Sequence, residues 1–330
     1  MATVTEIIDA FPENDSVFEI LRREELLLQV PPPSAMKLWR DHALLTAVHF
    51  RQNYIPAKFA PPRDIFTGDF LRLEWQQMNN RQPFYHRNAD VDEISYQVSG
   101  ERTLMTELGT VELRPGDFSR IPVGVAHDNY GREEIHLLIY LHATATECGM
   151  VVGKSEPKET QFEGWAATTV LEMMTECLGA GGCDISVSMA DETLLLQSAN
   201  TTADRLVVQR PSPASPGIEW LFKSTYVWIG HVQLKDAIGN VYQRHRRADA
   251  IHCQISGTRI LVTQRGTLEL EAGDFVCIPK GTAYTSISAG VSSHIVVLTS
   301  KEVSAQGETT KEAKPNSMEF ISSARIRILG

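Results

Sequence analysis

YHRNADVDEISYQVSGERTLMTELGTVELRPGDFSRIPVGVAH, residues 85–127, lies over YQRHRRADAIHCQISGTRILVTQRGTLELEAGDFVCIPKGTAY, residues 242–284, at a constant offset of 157 and without a gap. About half the positions are identical, which chance does not produce over such a length. The copies agree on glycines, a proline and apolar positions. They differ where a side chain could hold a metal: His86 is matched by Gln243, Glu93 by Ala250 and His127 by Tyr284. The shared residues specify a scaffold, and the differences localise chemistry to the first copy.

Within each copy short runs alternate apolar and polar residues and are broken by Gly and Pro. ISYQVSG, RTLMTELG, TVELRPGDFSRIP and IHLLIYLH are matched by IHCQISG, RILVTQRG, TLELEAGDFVCIP and SHIVVLTS. This is an all-β pattern of sandwich or barrel type. The retained Gly257, Gly266, Gly273, Asp274, Pro279 and Gly281 serve turns that both copies need.

Outward from the repeat, residues 16–50 read as helical. SVFEILRREELLLQV has helical apolar spacing behind a Ser, and AMKLWRDHALLTAVHF resumes it after PPPS. The segment GWAATTVLEMMTECLGAGG also reads as helical, while DETLLLQS and RLVVQRPSPASPG read as a strand followed by a turn region. MEFISSARIRIL reads as a late strand or a short helix. The expected division is a helical N-terminal arm over 1–55, a metal-binding barrel over 56–145 and an inter-barrel segment over 146–215. A second barrel without metal ligands covers 216–300, and a C-terminal tail covers 301–330.

Composition narrows the function classes. The 330 residues suffice for two cores, with 42% hydrophobic and 22% charged residues, values of a soluble globular protein. A net charge of −10 without a basic run excludes nucleic acid as the expected partner. No apolar run approaches the ~20 residues of a membrane span, and the start carries no secretory pattern. Five cysteines without a CxxC pair fit a reduced cytoplasm.

In the first copy His86 and Asn88 share strand parity, and Glu93 opens the next strand after a turn at 89–91. Six residues separate Glu93 from Gly100. Gly116 is followed after five residues by Pro122, then by Gly124 and His127. This frame resembles the two signature motifs of the cupin superfamily, which implies tandem double-stranded β-helix (jelly-roll) barrels with one metal inside. His86, Glu93 and His127 form a two-histidine, one-carboxylate set that favours Fe(II), ahead of Mn, Zn or Ni. Asn88 stands where the motif has a second histidine and is read as a fourth ligand or a supporting donor. Asp92 is the rival carboxylate. Its counterpart Asp249 persists in the copy that lacks the metal set, which favours Glu93. In copy two His245 is the one good ligand, and His252 falls on the opposite parity.

The two-barrel plan, the runs HRNADVDEISYQVSG and LGTVELRPGDFSRIPVG and the N-terminal arm resemble ring-cleaving dioxygenases of the homogentisate 1,2-dioxygenase and hydroquinone dioxygenase large-subunit type. The resemblance implies a phenolic substrate and O₂ at adjacent open positions of Fe(II). It also implies a small second subunit as a further partner, while a homo-oligomer is expected on general grounds, since closed homo-oligomers are common. The chain departs from homogentisate dioxygenases by placing its ligands in the N-terminal barrel. Gln97 and Arg120 are the acid–base candidates. Tyr85, Trp75, Tyr96, Phe118, Tyr140 and His136 are the candidates for contact with an aromatic substrate. Other metal-cupin chemistry (isomerase, decarboxylase or lyase) and a non-catalytic partner subunit are the alternatives.

Overall fold

The computed structural model describes residues 2–9, 11, 17–30, 43–57, 60–82, 84–157, 170–178, 183–212 and 217–329. The repeat folds as two tandem β-barrels, and the architecture is all-β. Among the described residues, one sheet of 12 strands is built around the first copy and one of 13 around the second. Among the described residues no helix is long and apolar enough to cross a membrane.

In each barrel a long strand pair forms the spine. Asp92–Thr106 runs antiparallel to His127–Leu141 in the first, and Asp249–Ser256 to Tyr284–Thr299 in the second. Alternation along these strands separates two environments. Glu93, Ser95 and Gln97 face the barrel interior, while Ile94 and Tyr96 face the other way. The outward residues of both barrels merge into one apolar core. Leu73, Trp75, Phe118 and Leu137 of the first barrel meet Phe222, Ile251, Phe275 and Val297 of the second there. Trp75 packs edge-on against Phe275 with ring centroids 5.7 Å apart.

The long strands cross at an irregularity between Arg132 and Ile135. It shifts parity, so that His127 and Asn129 face inward before it and His136 and Tyr140 after it. Gly100 sits opposite with φ +66°, and a Cβ there would lie 2.4 Å from the Glu133 carbonyl oxygen. Gly257 repeats the arrangement, with φ +65° and 2.3 Å to the Val291 oxygen. Only glycine fits this approach, which explains its retention in both copies.

The flanking segments differ from their expected forms. The N-terminal arm is not helical where it is described. Thr3–Asp9 and Phe18–Arg23 are paired strands, only Glu24–Leu27 is helical, and Thr46–His49 is a strand. Residues 31–42 lie outside the described residues. Non-local pairing overrides the local periodicity here. Thr3–Asp9 runs parallel to Val241–His245, and Thr46–His49 pairs with Asp274–Ile278. Leu171–Glu176 is likewise a strand, paired in parallel with Phe84–Asn88 and antiparallel with Cys183–Met189. The rest of its expected helix, 164–169 and 179–182, lies outside the described residues. DETLLLQS belongs instead to the helix Glu192–Thr201, whose first turn is capped by Asp191 accepting from the Leu194 amide at 3.0 Å. Met318–Leu329 is a helix. Val303–Ala305 pairs with the first barrel and Thr309–Glu312 with Thr46–His49. Strand pairing therefore crosses the expected boundaries: arm and tail are built into the barrels.

Candidate metal centre

His86 and His127 are cross-strand partners, and Glu93 enters from the neighbouring strand. The structure brings these three together. Their ligand atoms lie within 4.8 Å of one another, Glu93 Oε2 is 3.5 Å from His127 Nε2, and the imidazole centroids are 5.2 Å apart. His127 and Glu93 are each 2% exposed.

The surrounding hydrogen bonds orient both imidazoles. His127 Nδ1 donates to the Val125 carbonyl at 3.3 Å, leaving Nε2 as the nitrogen that faces Glu93. The Thr175 hydroxyl donates to Asp184 at 2.7 Å, so it accepts from His86 Nε2 at 2.8 Å and leaves the lone pair on Nδ1. Burial and the neighbouring His127 push the His86 imidazole down to about 4, so it is neutral and fit to bind a cation. Burial opposes the charge on Glu93. The imidazoles of His127 and His86, the Asn88 amide and Arg102 outweigh it and hold the carboxyl below its usual range.

Asn88, fully buried, donates from Nδ2 to Glu93 Oε2 at 2.9 Å and accepts from the Cys177 thiol at 3.1 Å. Its amide is thus engaged on both sides, and it aims the carboxylate. Asp92 is directed elsewhere. It accepts from the backbone amides of Val123 and Ala145 and from Arg120 Nη1, at 2.9–3.0 Å. Asp249 caps the equivalent turn in copy two through the Lys280 amide at 2.8 Å.

Several expected site residues lie away from the three ligands. Arg120 is on the outward face of its strand, in ion pairs with Asp92 and Glu147 at 3.0 Å each, so it has no free charge for a substrate. Trp75, Tyr96 and Phe118 belong to the core between the barrels, and Tyr96 has the parity opposite to that of Glu93 and Gln97 on the same strand. Tyr85 has the parity opposite to His86, and its hydroxyl donates to Glu192 at 3.2 Å. Gln97, His136 and Tyr140 do face inward. Gln97 donates to Glu134 at 2.9 Å, and His136 pairs with Glu134 at 2.9 Å. Tyr140 lies in the fields of Glu74 and Glu93, and burial keeps its phenol protonated.

The interior also holds groups that the motif frame does not mark. Arg102 is fully buried, donating to Ser95 at 2.7 Å and to Asn129 at 3.2 Å. Its counterpart Arg259 is retained across the repeat, a signal that was available in the sequence. Burial raises the Glu74 carboxyl to about 7 against the attraction of Arg72. Thr175, Cys177 and Asp184 come from the inter-barrel segment and carried no motif.

In the second barrel the equivalent positions are closed among themselves. His245 accepts at Nε2 from Tyr284 at 2.8 Å and donates from Nδ1 to Asp9 at 2.7 Å. Another cluster, His49, Glu271 and Asp274, already holds the Lys311 ammonium, which occupies the charge a cation would use.

No family model and no curated protein matches the chain. Solved structures with a similar trace include a cupin 2 conserved barrel domain protein from Leptotrichia buccalis. It has 9% identity over 81% of this chain and 100% of that one, with a TM-score of 0.48. They also include an oxalate decarboxylase with 11% identity over 89% of this chain and 88% of that one, at a TM-score of 0.47. An oxalate decarboxylase from B. subtilis has the same identity and coverage at a TM-score of 0.46.

Proposed function

We propose that the first barrel is a mononuclear divalent-metal site. On this reading the chain is an enzyme for redox-neutral chemistry (decarboxylation, isomerisation or elimination) on a small polar substrate. His86, Glu93 and His127 would hold the ion, and their two-nitrogen, one-carboxylate set suits Fe(II) or Mn(II). The metal would supply Lewis-acid polarisation of a bound carbonyl or carboxylate. The chain's own residues provide the rest. Asn88 and Cys177 orient Glu93, Thr175 and Asp184 orient His86, and Arg102 adds positive charge behind the carboxylate. Glu74 is the group suited to store and deliver a proton, since a carboxyl near 7 changes state at working pH.

The observation that carries this reading is the polarity of the barrel interior. Ser95, Gln97, Arg102, Asn129, Glu134 and His136 line it behind the ligands. Trp75, Tyr96 and Phe118, three of the expected ring contacts, are packed between the barrels. Among the described residues, Phe84, with its ring centroid 6.4 Å from that of His86, and Tyr140 are aromatic neighbours of the ligands.

The second reading, an Fe(II) dioxygenase for a hydroquinone-like phenol, draws on the same facial ligand set, which suits O₂ as a co-ligand. One experiment separates them. Anaerobically loaded Fe(II) and Mn(II) proteins are mixed with keto and hydroxy acids and, in parallel, with hydroquinones, homogentisate and gentisate. Proton NMR follows turnover and an oxygen electrode follows uptake. Turnover of an acid without oxygen consumption is expected. Stoichiometric oxygen uptake with a phenol would overturn the redox-neutral reading in favour of ring cleavage.

A further inference from the structure

The two barrels share a buried arginine but not its counter-charges. Arg102 lies in the fields of Glu134 and Glu93. In the second barrel Ala250 stands at the position of Glu93. Ser292 stands where Glu134 does: Gln97 donates to Glu134 at 2.9 Å, and its counterpart Gln254 donates to Ser292 at 2.8 Å. Arg259 nevertheless remains, 2% exposed. Its Nε donates to Gln254 at 2.7 Å, Nη1 to Ser286 at 2.7 Å and Nη2 to His252 Nδ1 at 3.1 Å. All three acceptors are neutral, and among the described residues no carboxylate pairs with it. A buried guanidinium without an anion is costly, and buried charges are ordinarily paired.

Beside this cation lies a cavity of about 460 Å³. Its polar end includes Ser286 and His252, two of the three groups that hold Arg259, with Tyr284 and His294. Accepting from Arg259 at Nδ1 places the His252 proton on Nε2, as a donor backed by positive charge. His294 is 3% exposed, and its Nδ1 has no hydrogen-bond partner. The lining also includes the apolar side chains of Val232 and Leu234. The volume is that of a small-molecule site. Arg259 stands behind the lining, holding Ser286 and His252, and the one charged residue among the described residues of the lining, Asp236, accepts from the Gly290 amide at 2.7 Å.

We propose that the second barrel binds a small monocarboxylate with an apolar body, independently of the metal. The carboxylate would lie against His252 and Ser286 over Arg259, supplying the charge that Glu93 and Glu134 supply in the first barrel. The body would lie against Val232 and Leu234.

The test is calorimetric titration of the full, chelator-treated chain with sodium hexanoate and with hexan-1-ol. One hexanoate per chain is expected, with the alcohol at least tenfold weaker. Arg259→Met is expected to weaken hexanoate at least tenfold without lowering the unliganded Tm, because it removes an unpaired charge. His86→Ala is expected to bind hexanoate as the wild type does. Should Arg259→Met not fold, Val232→Trp serves instead: it fills the apolar end, leaves Arg259 in place and is expected to abolish binding. Absence of hexanoate binding to the wild type, equal binding of the alcohol, or retained binding in the folded Arg259→Met or Val232→Trp chain would overturn the proposal. So would loss of binding in His86→Ala.

Discussion

At the scale of single residues, the repeat makes the chain its own control. His86 and His127 face a shared point with Glu93, whereas His245 has both nitrogens committed to Tyr284 and Asp9. His86→Ala or His127→Ala is therefore expected to abolish metal binding. His245→Ala should leave metal content near wild type, read by elemental analysis of purified protein. Equal metal loss in all three would contradict a single site. Glu74 supports a second prediction, on pH. Its carboxyl is raised from 4.5 to about 7 by burial, so the folded state binds its proton more tightly than the unfolded chain. That stabilisation is fully present below pH 4.5 and is lost as pH rises through 7. The upper bound is about 3 kcal/mol. Denaturant titrations of the wild type and Glu74→Gln should show the wild type losing stability relative to the variant between pH 5 and 8. A parallel pair of curves would show that Glu74 does not titrate in this range.

At the scale of elements, the repeat glycines carry the fold. Gly100 and Gly124 both have positive φ, +66° and +80°, but their surroundings differ. A Cβ on Gly100 would strike the backbone of the facing strand at 2.4 Å, while one on Gly124 meets nothing within 4 Å. Gly100→Ala is expected to cost about 2–5 kcal/mol, the sum of strain and overpacking. Gly124→Ala should cost about 1–2 kcal/mol, from the backbone conformation alone. Urea denaturation of the two variants checks the ordering, and equal costs would remove the steric account of the strand crossing. These positions were legible in the sequence because a glycine at a crossing has no substitute, and the repeat displays it twice. The arm and the segment 171–189 were not legible. Their strands exist by pairing with Val241–His245 and Phe84–Asn88, and no local pattern records a partner so far away in sequence. The helix at Glu192–Thr201 was misread for the opposite reason, since a local signal, Asp191 as cap, was present and outweighed by the apolar run.

At the scale of the molecule, what the sequence left ambiguous is the side of the sheet on which each aromatic residue falls. Parity assigns residues of one strand to two faces, but both faces here are buried, one by the barrel interior and one by the neighbouring barrel. A buried Tyr96 or Phe118 thus suits a ligand pocket and an inter-barrel core equally well until the second sheet is in place. Its placement decides the matter: Phe118 lies 4.5 Å from Tyr96 and 6.3 Å from Phe222, centroid to centroid, in a core fed by both barrels. If that is its whole role, Phe118→Ala should destabilise the chain by about 3–5 kcal/mol, as truncation of a buried aromatic does. The residual protein should keep its metal content. With a turnover assay in hand, kcat/KM measured well below the lowered Tm should change less than threefold. Unfolding followed by Trp fluorescence gives the first quantity, elemental analysis the second and steady-state kinetics the third. A Phe118→Ala chain of near-normal stability but with KM raised tenfold would move Phe118 from the core into the substrate site and restore the case for an aromatic substrate.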